Sequence, residues 1–292
     1  MKLRSDFHAH LLQHPGPLRV GSRPGAPKQR GLLAAWVAAR QARRRYVFTV
    51  DNVAALGLTT SALYASLRRL EAAGRIAPIG GRRSLWAIIP VEYRVMGAPP
   101  YTWVLNDVMR ELGQPYYVGL GSAAAQYGAT HYALQVLHVV TTRRLRPFSL
   151  GRLRVQFIVK AEGGTTPVLE QVDVTTIRYS TPEATALDLV RFMAHAGGVS
   201  RVATSLQEIA GRCSPEGMRD ALSAADAVAD AQRMGYLWTT VGHEHLAAVT
   251  REWLHGRVLR TTALESHQPA AAGARVDTAW KVRVDHPVDL SL

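Results

Sequence analysis

Arginine, hydroxyl-bearing and aromatic residues recur at helical spacing in the stretch 59–74. Leu63, Leu67 and Leu70 follow the i, i+4, i+7 spacing that places apolar side chains on one face of an α-helix. Groups that can hydrogen-bond base edges and phosphates fall on the opposite face. These are Thr60, Ser61, Tyr64 and Arg68, with Ala65 beside them. The spacing therefore predicts an amphipathic helix whose polar face suits binding to nucleic acid.

Both ends of this helix are marked in the sequence. Thr59 or Thr60 can cap the first turn, and Gly74 follows the last apolar residue, where a left-handed residue commonly ends a helix. Two short apolar runs follow, separated by Gly80-Gly81-Arg82-Arg83, a pattern typical of a β-hairpin with basic residues at its tip. A helix followed by a basic hairpin resembles the recognition helix and wing of a winged helix-turn-helix domain.

The preceding residues predict the remaining elements of such a domain. A helix is expected over 31–41, with Leu32, Leu33, Trp36 and Val37 along one side. A β-prone run at 46–48 and a short capped helix at 51–57 follow. Winged domains of this order lay the second helix of the motif in the major groove. The alternative is an ordinary amphipathic helix with solvated arginines.

Basic charge is concentrated at the N-terminal end of the chain. The chain has 35 Lys and Arg against 22 Asp and Glu; residues 1–83 contain 15 basic and 3 acidic residues, and residues 84–292 contain 20 and 19. A surface that binds a polyanion should be local to its module, so this distribution favours nucleic-acid binding by the first part. The candidate DNA contacts are Arg43, Arg44, Arg45, Thr60, Ser61, Tyr64, Arg68, Arg69, Arg82 and Arg83.

Length and composition limit the class of protein. A chain of 292 residues with 47% hydrophobic and 20% charged residues is typical of a soluble globular protein with two domains, or one domain with a large addition. It has no apolar run long enough for a membrane span and no signal-peptide core, which predicts a cytoplasmic protein without membrane partners. The single cysteine, Cys213, excludes an internal disulfide and a CxxC-type zinc site.

Residues 1–30 contain repeated Pro and Gly and no periodic segment, which predicts a flexible basic arm. His8, His10 and His14 are possible metal ligands, but ordered ligand geometry needs a fold that this stretch does not offer. We therefore expect neither a metal nor a cofactor. The arm either follows the DNA or is an extension without a role.

Gly97, Pro99 and Pro100 interrupt the pattern and predict a boundary, which divides the chain into 1–30, 31–90 and 91–292. The last part has helical spacing at 103–112. Strands are expected at 136–141, 153–160, 172–179, 258–264 and 280–284, and helices from Pro182 and over 201–209, 215–234 and 242–254. The predicted fold class is α+β: an N-terminal winged helix-turn-helix followed by a larger mixed α+β domain.

Several motifs, in order, resemble the AbiEi-type antitoxins of type IV abortive-infection toxin–antitoxin systems. They are the winged segment at 32–90, YYVGLGSAAAQYG at 116–128, Arg143-Arg144, STPEATALDLV at 180–190, QRMGYLW at 232–238 and TAWKVRVDHPVDL at 278–290. The resemblance implies a phage-defence protein that represses its own promoter by binding inverted repeats. It also implies a C-terminal antitoxin domain that counteracts a co-encoded nucleotidyltransferase-like toxin. Two protomers are expected on the operator, as a homodimer or as monomers that bind cooperatively.

The sequence supports enzymatic interpretations less well than the antitoxin resemblance. Gly121-Ser122 is similar to a nucleotidyltransferase signature, but the carboxylates needed about a dozen residues later are missing, since 132–140 has no Asp or Glu. A nuclease site would combine Glu170 or Asp173 with Lys160 and Glu162, at a spacing that matches no known order. Ser122 could be a nucleophile beside His131 or His138, but a helix cap is the preferred interpretation. We therefore predict that the protein is not an enzyme.

Other charged residues in the second part of the chain are compatible with more than one role. The arginines around 147–151 suit a solvated hairpin, a second DNA contact or a surface for an acidic toxin patch; they are Arg143, Arg144, Arg146, Arg152 and Arg154. Asp188 and Arg191 are spaced as an i, i+3 surface pair. The competing functional hypothesis is a ligand-responsive regulator whose second domain senses a small molecule.

Overall fold

The computed structural model describes residues 31–129, 136–161, 166–265 and 273–290. The predicted arm at 1–30 and its three histidines, together with His131 and Glu162, lie outside these residues. None of the helices in the described ranges has the length and apolar character required to cross a bilayer.

The N-terminal unit has the predicted order of elements. It contains α1 (Leu32–Ala42), β1 (Val47–Thr49), a 3-10 helix (Asp51–Leu56), α2 (Thr60–Ala72), β2 (Ile76–Ile79) and β3 (Arg82–Ile88). The three strands form an antiparallel sheet of order β1-β3-β2. Leu33, Leu67 and Trp86 are each about 1% exposed at the centre of the unit, because the apolar faces of both α-helices pack on this sheet. Leu32, predicted on the inner side of α1, is instead 38% exposed.

The core of this unit continues into the following residues. A 3-10 helix (Val91–Tyr93) leads to α3 (Tyr101–Glu111). Val104 and Val108 of α3 belong to the same buried cluster as Trp86. The ring of Tyr46 stacks on that of Trp103 with 4.8 Å between centroids. An apolar core thus crosses the predicted boundary at 90–100 and holds the N-terminal unit against the second part of the chain.

A six-stranded mixed sheet forms the centre of the second part. Its strands are β4 (Tyr116–Val118), β5 (Leu137–Thr141), β6 (Phe148–Leu150), β7 (Leu153–Val159), β8 (Val168–Val172) and β9 (Thr176–Ser180), in the order β6-β7-β5-β4-β9-β8. The pairs β5/β7 and β4/β9 are parallel and the others antiparallel. The single strand predicted over 172–179 is wrong, because the chain turns at 173–175 and β8 pairs back on β9.

Helices pack beside this sheet, which confirms the α+β fold class. They are α4 (Leu120–Gln126), α5 (Pro182–Arg191), α6 (Val199–Ile209), α7 (Pro215–Ala225), α8 (Val228–Thr240) and α9 (Glu244–Leu254). Thr181 caps α5 through the Ala184 N–H, as its position before Pro182 predicts. The helix predicted over 215–234 is two helices, because Asp226 adopts a left-handed φ of 43° that ends α7. Three short strands complete the fold: β10 (Thr262–Ala263), β11 (Arg275–Asp277) and β12 (Val282–Val284).

Candidate nucleic-acid interface

The polar face of α2 is exposed as its spacing predicts. Thr59 caps the helix by accepting a hydrogen bond from the Ala62 N–H at 3.3 Å, and Gly74 follows its end with a left-handed φ of 63°. Leu63, Leu67 and Leu70 are buried against the sheet. The candidate residues on the opposite face, Thr60, Ser61, Tyr64 and Arg68, are all exposed. The helix therefore presents hydroxyl groups, an aromatic ring and a guanidinium group to solvent.

The other candidate contacts are arginines at several places in the N-terminal unit. Arg43, Arg44 and Arg45 form the exposed turn between α1 and β1. Arg69 is exposed at the last turn of α2 and donates to the Ser66 hydroxyl at 2.9 Å. Arg83, at the start of β3, is 58% exposed and lies 4.0 Å from a Glu71 carboxylate oxygen. An exposed pair at this distance contributes little to stability, so Arg83 remains available to a phosphate. The side chain of Arg82 lies outside the described part of the structure.

The hairpin of β2 and β3, which we call the wing, packs on the second part of the chain. Gly80 and Gly81 form its turn with φ values of 62° and 69°, a conformation that favours glycine. A Cβ atom at Gly80 would lie 3.2 Å from the Cβ of Phe148 in β6. The tip of the wing therefore lies against the β6–β7 hairpin.

Five further arginines are exposed between the end of β5 and the start of β7. Arg143, Arg144 and Arg146 lie between β5 and β6, and Arg152 and Arg154 lie at the start of β7. Within the described ranges, none of them has a carboxylate partner within 4.0 Å. Among the described residues these arginines therefore carry positive charge without a carboxylate partner, and Arg146 lines one cavity together with Gly80 of the wing.

The sequence interpretation missed a buried polar network in the second part. Lys160 Nζ donates to Asp188 Oδ1 at 2.7 Å, and the Tyr117 hydroxyl donates to Asp188 Oδ2 at 2.7 Å. Burial, followed by the Asp188 charge, raises the pKa of Tyr117 well above its usual value. The prediction of an Asp188–Arg191 surface pair is wrong, because Asp188 is fully buried and Arg191 lies 3.8 Å from Asp230 instead. An aspartate within the apolar run of ATALDLV was the signal that could have indicated burial.

The residues considered for a nuclease site are engaged separately. Asp173 accepts hydrogen bonds from Thr102 and Trp103, and Glu170 pairs with Arg178 at 3.0 Å. Lys160 is committed to Asp188. The structure does not bring these residues to one site, and among the described residues no group of three or more His, Cys, Asp or Glu is placed to hold a metal ion.

Ser122 has a different role from the predicted helix cap. Its hydroxyl accepts a hydrogen bond from the His138 N–H at 2.8 Å and contacts the Val136 carbonyl at 3.4 Å. The residue therefore joins α4 to the start of β5. The His138 side chain is partly buried, and its Nδ1 has no hydrogen-bond partner in the described ranges. Burial, together with nearby His195, lowers the pKa of His138.

The region that contains the buried network is similar to a known family. Residues 117–240 match the family model of the AbiEi antitoxin C-terminal domain. This match confirms the resemblance to AbiEi-type antitoxins that the motifs predicted, and it supports an antitoxin or regulator role. We call residues 117–240, from β4 to the end of α8, the AbiEi-like domain. No curated protein matches the chain significantly.

A solved structure shares the fold of most of the chain. The crystal structure of the RV2827C protein from Mycobacterium tuberculosis has 17% sequence identity and a TM-score of 0.60. The likeness covers 87% of this chain and 91% of that chain. At this identity it shows a common fold beyond the limits of the AbiEi-like domain.

Proposed function

We propose that the protein is a DNA-binding autorepressor and antitoxin that counteracts a co-encoded nucleotidyltransferase-like toxin. The single observation that carries the DNA-binding part is the exposed polar face of α2, in a unit that also exposes the arginines of the α1–β1 turn and Arg83 of the wing. The antitoxin part rests on the match to the AbiEi antitoxin C-terminal domain. This match also supports a non-enzymatic role.

Within this proposal, α2 lies in the major groove. Thr60, Ser61, Tyr64 and Arg68 approach base edges and nearby phosphates there. The remaining candidates neutralise the phosphates that flank the groove; they are Arg43, Arg44, Arg45, Arg69, Arg82 and Arg83. An inverted repeat at the promoter takes two protomers, bound as a homodimer or as monomers that cooperate.

A mobility-shift titration tests the DNA-binding part. The full chain is titrated on the DNA upstream of its own gene, with unrelated DNA as competitor. We expect preferential binding to the promoter DNA, and Arg68→Ala should reduce that preference because it removes a base-edge contact. Arg212→Ala is the matched control, since Arg212 is also exposed but lies between α6 and α7. Equal binding of the wild-type chain to all DNA would contradict autorepression.

Point variants are preferable to removing residues 1–90. Val104, Val108 and Leu150 are 1–3% exposed because they pack with the N-terminal unit. A chain that lacks this unit would expose these apolar side chains to water, so loss of binding could result from misfolding.

Co-expression tests the antitoxin part. The toxin gene is induced in a host with the full chain or with its Arg68→Ala variant on a separate, constant promoter. Growth should be restored in both cases, because DNA recognition by α2 is not required when expression is independent of the operator. Absence of rescue by the wild-type chain would contradict the antitoxin role and leave the repressor role intact.

A further inference from the structure

A cavity of about 280 Å³ lies where α3 and α4 meet the starts of β5 and β7. Its lining includes Tyr101, Gln126, Leu137, Leu153, Arg152 and Arg154. The proposed repressor and antitoxin functions do not assign it a role. Its lining combines two cationic groups with an apolar wall, which is the composition of a site for an amphipathic anion.

The two cationic groups are available to a ligand. Arg152 and Arg154 are exposed, and neither is paired with a carboxylate of the described residues. Arg152 lies in the turn between β6 and β7 and Arg154 lies in β7, and both line this cavity, so both guanidinium groups can approach one anion. Guanidinium groups form bidentate hydrogen bonds with phosphate oxygens. This end of the cavity is therefore suited to a phosphate.

The remaining wall is suited to a flat, partly polar ring. The Tyr101 hydroxyl is hydrogen-bonded to that of Tyr179 at 2.8 Å, which fixes the position of the Tyr101 ring. Leu137 and Leu153 supply apolar surface, and the Gln126 amide can both donate and accept hydrogen bonds. A nucleobase has this combination of an apolar face and a hydrogen-bonding edge.

We propose that this cavity binds a nucleoside phosphate, with its phosphate at Arg152 and Arg154 and its base beside Tyr101 and Leu137. The Ser122 hydroxyl, which also borders the cavity, is engaged with the chain at His138 and Val136 and supplies no free group.

Occupancy also has an expected effect on DNA binding, and this consequence alone rests on the proposed function. The Arg152 N–H donates to the Met96 carbonyl at 2.9 Å, in the segment that joins the N-terminal unit to α3. A backbone hydrogen bond thus joins the cavity wall to the segment that follows the wing. A bound phosphate would neutralise two positive charges on the β6–β7 hairpin, against which the wing packs, and lower the affinity for DNA.

Isothermal titration of the full chain with AMP tests the binding, with adenosine and inorganic phosphate in parallel. We expect one AMP per chain and at least tenfold weaker binding of both fragments. Arg152→Gln with Arg154→Gln should weaken AMP binding at least tenfold, and so should Ala125→Phe, which fills the cavity without changing charge. Thermal melts establish that each variant is folded. The matched control is Arg143→Gln with Arg144→Gln, which removes equal charge outside the cavity and should change the affinity less than twofold.

The outcomes separate the two proposals. Absence of AMP binding would overturn the nucleotide site, and so would an equal loss of AMP affinity in the Arg143→Gln, Arg144→Gln variant. Both conclusions hold whether or not the chain binds DNA. If AMP binds as expected, a mobility-shift titration at saturating AMP should show weaker promoter binding. AMP binding without promoter binding in either condition would contradict the repressor and leave the nucleotide site supported.

Discussion

Lys160 Nζ lies 2.7 Å from Asp188 Oδ1, and the two side chains are 4% and 0% exposed. The ion pair joins the end of β7 to the middle of α5, and Tyr117 of β4 donates to the second carboxylate oxygen. Side chains from three elements of the AbiEi-like domain therefore meet at one buried carboxylate. Such a group is stable only while its partners remain, because an unpaired buried charge has lost the stabilisation that water provides.

Replacing Lys160 should therefore destabilise the protein strongly. Lys160→Met leaves Asp188 buried without its cation and should lower the free energy of unfolding by about 3–5 kcal/mol in urea titrations. The matched control is Arg178→Met, which breaks an exposed pair with Glu170 and should cost no more than about 1 kcal/mol. The double variant Lys160→Met with Asp188→Leu should recover part of the loss. Similar losses for Lys160→Met and Arg178→Met would argue against this account.

The contact between Gly97 and Gly151 should tolerate no side chain at Gly151. A Cβ atom there would overlap the Met96 carbonyl oxygen and Gly97, and the φ of 52° also disfavours other residues. Gly151→Ala should therefore reduce stability by more than the roughly 1 kcal/mol typical of backbone strain alone. Gly113→Ala is the control, because Gly113 has a φ of 63° with no atom within 4 Å of an added Cβ. Thermal unfolding should show the larger decrease in Tm for Gly151→Ala, and equal decreases would contradict the close packing.

Salt dependence should report how many phosphates the N-terminal unit contacts. Neutralising about 4–6 phosphates per protomer gives a slope near −4 to −5 for the logarithm of the binding constant against that of the salt concentration. Arg82→Ala with Arg83→Ala should weaken binding to all DNA alike and make the slope less steep, since phosphate contacts carry no sequence information. An unchanged slope and affinity in this double variant would exclude the wing from the interface.

Acid should destabilise the fold partly through His138. Burial lowers its folded pKa below the unfolded value of about 6.5, so the unfolded chain binds the proton more readily. The contribution of neutral His138 to the free energy of unfolding is therefore complete above about pH 6.5. It is lost as the pH falls toward the folded pKa. His138→Leu should reduce the slope of stability against pH in this window by at most about 1.4 kcal/mol per pH unit. Urea unfolding of the wild-type chain and of this variant at several pH values measures the slope, and equal slopes would argue against this role of His138.

Local features were determined by the sequence alone. The apolar spacing of Leu63, Leu67 and Leu70, the cap at Thr59 and the left-handed residue Gly74 act within a few residues of one another, so they specify α2 without knowledge of the fold. The wing turn at Gly80-Gly81 is specified in the same way. The order of motifs also identified the AbiEi resemblance. The predicted DNA contacts on α2 follow from helical periodicity and remain predictions of function.

Only the tertiary structure determined which distant residues meet. Lys160 and Asp188 are 28 positions apart, and their pairing depends on where the sheet places β7 relative to α5. The contact of Gly80 with Phe148 and the cavity between Tyr101 and Arg154 likewise depend on where the sheet places these residues. These contacts depend on strand order and burial, which short-range periodicity does not encode. The sequence therefore specified the elements that carry the candidate DNA contacts, whereas long-range packing decided what lies beside them.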